Sequence, residues 1–95
     1  METSLWVRVI KKHQIIKQET EPCLHEGEQE ALEEALYRLD LPKPLWLDKH
    51  QREWAEFSQT RFTQEHFLES IAFDRLEIEF INPRKQKKRD LRNEF

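Results

Sequence analysis

Glycine is almost missing from this sequence: one residue, Gly27, in 95. Loops that wrap backbone N–H groups around a phosphate depend on several glycines at fixed offsets, so the common nucleotide-binding loops have nothing to be built from. Cysteine is as scarce. The single thiol, Cys23, excludes an internal disulfide, and no paired-cysteine spacing of a structural zinc site is present. No stretch approaches the ~20 apolar residues needed to span a bilayer, and METSLWVRVI at the N-terminus lacks the positive start and apolar run of an export signal. The expected setting is therefore cytoplasmic, without membrane insertion. Asn-Gly and Asp-Gly dipeptides, the usual markers of tight hairpins, do not occur.

What the chain does contain is charge and enough apolar mass to fold. Hydrophobic and charged residues each make up 37% of it, and Leu, Ile, Val and Phe together number 25 of 95. That fraction lies above the roughly 20% typical of disordered chains. A chain of this length supports one core, so a single domain over residues 1–83 is expected, followed by a basic extension over 84–95. The division follows the charge. Residues 1–83 carry 10 Lys and Arg against 17 Asp and Glu, and residues 84–95 carry 6 against 2.

Periodicity assigns the elements. Leu5, Val7 and Val9 alternate with Trp6, Arg8 and Ile10, which predicts a strand over residues 4–12. A hairpin turning near Lys12 and His13 leads to a second extended run through Ile15 and Ile16, closed by Pro22. From Glu26 to Leu39 the spacing of Leu32, Leu36 and Leu39 is helical, with glutamates in the first turns and Arg38 near the end. Pro42 and Pro44 break that helix. Asp48 is read as the N-cap of a second helix through Phe57, Gln59 to Phe62 as an irregular link, and Thr63 as the start of a further short helix. Leu76, Ile78 and Phe80 alternate with Arg75, Glu77 and Glu79 in a final strand whose glutamates match Arg8 or Lys17. The sum is an α+β fold: a three-stranded antiparallel sheet in β-β-α-α-β order with two or three helices on one face.

Four constellations invite a functional reading. Arg84, Lys85, Lys87, Lys88, Arg89 and Arg92 form a basic arm able to neutralise phosphates. It is diluted by Asp90 and Glu94, lacks an aromatic before Phe95 to stack a base, and hangs from an acidic body. His25, His50 and His66 each precede a glutamate by three residues (Glu28, Glu53, Glu69), the i, i+3 spacing at which two helical side chains can meet one ion. With 19 acidic residues in the chain such pairs also arise by chance, so surface neighbours are the simpler reading and no metal site or cofactor is assigned. Cys23 and His25 are two apart, yet a lone thiol is more often a small packed residue than a nucleophile, and no catalytic residue is assigned.

The fourth constellation is aromatic. Trp46, Trp54, Phe57, Phe62, Phe67 and Phe73 fall within 28 residues, interleaved with cations such as Arg61. Most are expected to fill the core. Trp46, Trp54, Arg61 and Phe62 are singled out as an interaction surface, because tryptophan and arginine dominate binding hot spots. The expected function is a non-enzymatic protein–protein interaction module that self-associates, as a homodimer, through that surface or a sheet edge. Alternatives are a nucleic-acid accessory protein using the basic arm, or a small metal-binding protein. No small-molecule substrate is implied.

Overall fold

The computed structural model describes residues 3–82. Two strands, β1 (Ser4–Lys11) and β2 (Gln14–Pro22), precede two helices, α1 (Glu28–Leu39) and α2 (Asp48–Phe57), and two further strands, β3 (Gln59–Thr63) and β4 (Arg75–Ile81), complete the sheet. The strand order is β2-β1-β4-β3, and every neighbouring pair is antiparallel. The α+β class and the helices over one face agree with the sequence pattern, but the sheet has four strands rather than three. Gln59–Thr63 is β3 and not an irregular link: Thr60 and Phe62 turn inward while Gln59 and Arg61 stay exposed. Five residues with one large apolar side chain, joined directly to a helix, carry too weak a period-two signal to read in advance.

Alternation decides which face is covered. Leu5, Val7 and Val9 from β1, Leu76 and Ile78 from β4 and Phe62 from β3 join Ala31, Leu32, Ala35 and Leu36 of α1 and Trp54 of α2 in one cluster. The helices lie on that face. On the other, Trp6, Arg8, Glu77 and Glu79 remain partly accessible and bond among themselves. Trp6 donates from Nε1 to Gln18 at 2.9 Å, and the Arg8 guanidinium lies 4.3 Å from the centre of its ring. Arg8 reaches Glu77 at 3.2 Å and Glu79 at 3.1 Å, so of the two expected partners Arg8 is the one that pairs. Burial raises the tendency of Glu77 to keep its proton, but Arg75 and Arg8 outweigh it and hold the carboxyl below its usual range.

Scarcity of glycine is met by strain at other residues. The β1–β2 turn has Lys12 at φ 52° and His13 at φ 65°, the two left-handed positions of a two-residue hairpin. Helix α1 ends at Asp40 with φ 57°, whose N–H reaches the Leu36 and Tyr37 carbonyls, and α2 ends at Ser58, also at φ 57°. Gly27 has φ −100° and sits between a 3-10 turn (His25–Gly27) and α1, so the first turn of the expected helix is the tighter form. Leu47, not Asp48, occupies the N-cap of α2, and the expected third helix is a single 3-10 turn, Gln64–His66.

The hairpin yields a direct test. Replacing Lys12 by Asn and His13 by Gly removes the steric cost of two left-handed residues while keeping the Lys12-position N–H that donates to Asp74 at 2.8 Å. The double variant is expected to unfold at higher urea, with a gain of about 1 kcal/mol.

Candidate functional site

A sheet of four strands has two edges, and the backbone polar groups along each must be paired, covered or left to water. The edges of this sheet are treated differently, and the difference locates the candidate site.

On the β3 side, the Ser58 carbonyl accepts from Phe80 at 2.8 Å, so even positions bond toward β4 and odd positions turn outward. Two of those outward groups face buried histidines. Thr63 donates its N–H to Nδ1 of His66 at 3.0 Å. The Arg61 carbonyl faces Nε2 of His50, although the approach falls short of a well-formed hydrogen bond. His50 in turn accepts the Leu47 N–H on Nδ1 at 3.0 Å. The Leu45 N–H donates to the His66 carbonyl at 2.7 Å, drawing the segment before α2 alongside. Both rings are buried, at 0% and 6% exposure, and meet edge-on at 4.5 Å between centroids.

The Leu47 contact fixes the protonation state of His50. A ring that accepts on Nδ1 carries its proton on Nε2 and is neutral. Burial, the neighbouring His66 and Lys49 push the His50 pKa down, opposed by Glu53 and the Arg61 carbonyl.

The aromatic segment continues this packing. Trp46 is half-buried, its ring 5.6 Å from Phe62 and 6.5 Å from Trp54, and it donates from Nε1 to Gln51 at 3.0 Å. Trp54 and Phe62 are 1% and 0% exposed. They are core residues, and of the four singled out as an interaction surface only Arg61 is exposed and Trp46 partly so. His25 is wedged between Trp54 and Phe80 at 5.1 and 5.0 Å. The imidazoles weighed as metal ligands thus act as packing rings and backbone acceptors, and among the described residues no three His, Cys, Asp or Glu side chains form a group able to hold a metal ion. The candidate nucleic-acid contacts, Arg84 to Arg92, lie outside the described residues.

Cys23 is half-buried beside β2, where burial, Glu28 and Glu21 push its pKa up to about 11. A thiol so raised is a poor nucleophile at neutral pH. The cleft beside β3 is lined by Arg8, Glu53, Phe57, Arg61 and Glu77, but Arg8 and Glu77 bond each other and Glu53 takes the Thr60 hydroxyl.

The opposite edge, β2, is covered by no buried ring among the described residues, and the Thr20 N–H donates to the carboxylate of its neighbour Glu19 at 3.2 Å. Cys23 donates to the Thr3 carbonyl at 3.2 Å, continuing the β1 ladder at the odd positions of β2 and leaving the backbone groups of Gln18 and Thr20 turned outward. Pro22, which has no N–H, falls at an outward position. Arg38 of α1 pairs with Glu19 at 3.2 Å and with Glu21, and only grazes the Thr20 carbonyl at 3.5 Å. Beyond it Ile15 and Ile16 are 47% and 49% exposed.

No family model, curated protein or solved structure matches the chain.

The neutral His50 sets a pH dependence with a definite sign. The unfolded chain takes up a proton at His50 near the ordinary value of 6.5, whereas the folded chain resists it. Below that pH the unfolded state binds more protons, so stability is unaffected above it and falls as the solution is acidified. The melting temperature is expected to drop between pH 7.5 and 5.5, and to drop less in H50Q, whose side-chain carbonyl still accepts the Leu47 N–H. Equal slopes would exclude His50 as the source.

Proposed function

We propose that this protein is a non-enzymatic protein–protein interaction module that self-associates through the free edge of its sheet. What supports this reading is the state of the two edges: on β3 the Thr63 N–H is taken by His66 and the Arg61 carbonyl faces His50, while on β2 Thr20 is met only by the exposed Glu19 and Arg38 side chains and Gln18 turns both its backbone groups outward. An unpaired strand edge is a template for another strand, and a module with one usable edge closes as a pair instead of growing into a fibre.

The chemistry of the surface fits the same reading. The polar face of the sheet satisfies itself through Arg8, Glu77 and Glu79, leaving little unspent charge to recognise a small ligand. Phe57, Arg61 and, in part, Trp46 are accessible in the aromatic segment, and all three lie on α2, β3 or the link before α2, away from β2. A reducing compartment such as the cytoplasm suits a chain with one poorly reactive thiol.

Sedimentation at 1–200 micromolar concentration tests the proposal, on the order of the affinities of weak module pairs. The full chain is expected to move from monomer to dimer, with little change between about 50 and 200 mM salt. A monomer throughout would overturn the reading, and association appearing only with added oligonucleotide, and lost steeply over that salt range, would favour the nucleic-acid alternative.

A further inference from the structure

The free edge has a register written into its charges. We infer that the partner at β2 is the β2 strand of a second copy, antiparallel and centred on Gln18; this rests on the self-association proposed above and specifies its geometry.

In an antiparallel pair related by a two-fold axis, one residue faces its own counterpart and the others pair symmetrically about it. The choice is narrow because the outward backbone groups are those of Gln18 and Thr20, bounded on one side by the irregularity between Val9 and Ile10 of β1 and on the other by Pro22. Centring on Glu19 brings Lys17 opposite Glu21 but sets two Glu19 carboxylates against each other at the axis, and centring on Thr20 sets Glu19 against Glu21. Centring on Lys17 opposes two ammonium groups. Centring on Gln18 alone brings Lys17 opposite Glu19 of the second copy, twice by symmetry, on the face that already carries Arg38.

This register also pairs the outward N–H and C=O of Gln18 with the same groups of its twin. Thr20 comes opposite the half-exposed Ile16, where the irregularity ends the regular edge. Helix α1 overhangs the Glu19–Glu21 half of the strand, where Arg38 is bonded. The reversed direction of the second strand places its α1 over the other half, so the two helices lie on opposite sides of the axis. The product is a continuous eight-stranded sheet whose outer edges are the two histidine-sealed β3 strands.

Disulfide trapping reads the register directly. In full-length chains with Cys23 replaced by Ser, Q18C is expected to oxidise to a covalent dimer, because hydrogen-bonded partners stand about 5.5 Å apart at Cα. T20C is expected to remain monomeric, its counterparts about 14 Å apart. Charge gives an independent readout. K17E and E19K are each expected to weaken self-association about tenfold by placing like charges opposite, while a mixture of the two pairs opposite charges at both positions and recovers a heterodimer. Circular dichroism of each variant checks that it is folded. If the unmodified chain dimerises but Q18C does not cross-link and the mixture shows no recovery, this register is wrong while self-association stands; a monomeric chain with no Q18C cross-link overturns both.

Discussion

The constraint on which this small structure turns is the disposal of backbone polar groups at the rims of its sheet. One face is settled by apolar burial beneath two helices, and the other by a ladder of arginines and glutamates. Neither arrangement can satisfy N–H and C=O groups that point sideways out of the outermost strands. At β3 the chain recruits side chains for that purpose. His66 accepts the Thr63 N–H and His50 faces the Arg61 carbonyl, each ring held by the turn that precedes it. At β2 the Thr20 groups turn to the exposed side chains of Glu19 and Arg38, and those of Gln18 point outward beside them.

Using histidine for this seal ties the edge to proton concentration. Glutamate or glutamine commonly fills the third position of a capping turn, and either would accept a backbone N–H at any pH near neutrality. An imidazole accepts only while neutral, and a buried one beside another resists protonation further. The two rings also fill volume against Phe62 and Trp46, at 4.4 and 6.3 Å from the His50 centroid, which a carboxylate does not. Edge sealing and core packing are thus performed by the same atoms, and acid is expected to loosen both together.

Much of the fold was legible in the sequence, and the missing parts share a cause. Alternation in Leu5–Val7–Val9 and Leu76–Ile78–Phe80, and the helical spacing of Leu32, Leu36 and Leu39, mark β1, β4 and α1 because each buries a whole face. Strand β3 escaped because only Thr60 and Phe62 face inward. The aromatic residues read as a surface proved to be core in Trp54, packed on His25 and Phe80, and in Phe62, which the inward face of β3 carries into the core. The histidine seal did leave a trace: Leu47-x-x-His50 and Thr63-x-x-His66 have the capping-box spacing, with histidine where an acidic or amide residue is usual. The free edge left none, because which strand lies outermost depends on pairings that no local pattern encodes.

Amide hydrogen exchange measured residue by residue, in dilute and concentrated solution, tests the central claim that one edge is sealed within the chain and the other by a second copy. The Thr63 N–H should exchange slowly at every concentration, while those of Gln18 and Thr20 should be fast when dilute and slow when concentrated. Slow exchange of Gln18 and Thr20 in dilute solution, or a Thr63 amide as fast as an open loop, would contradict it.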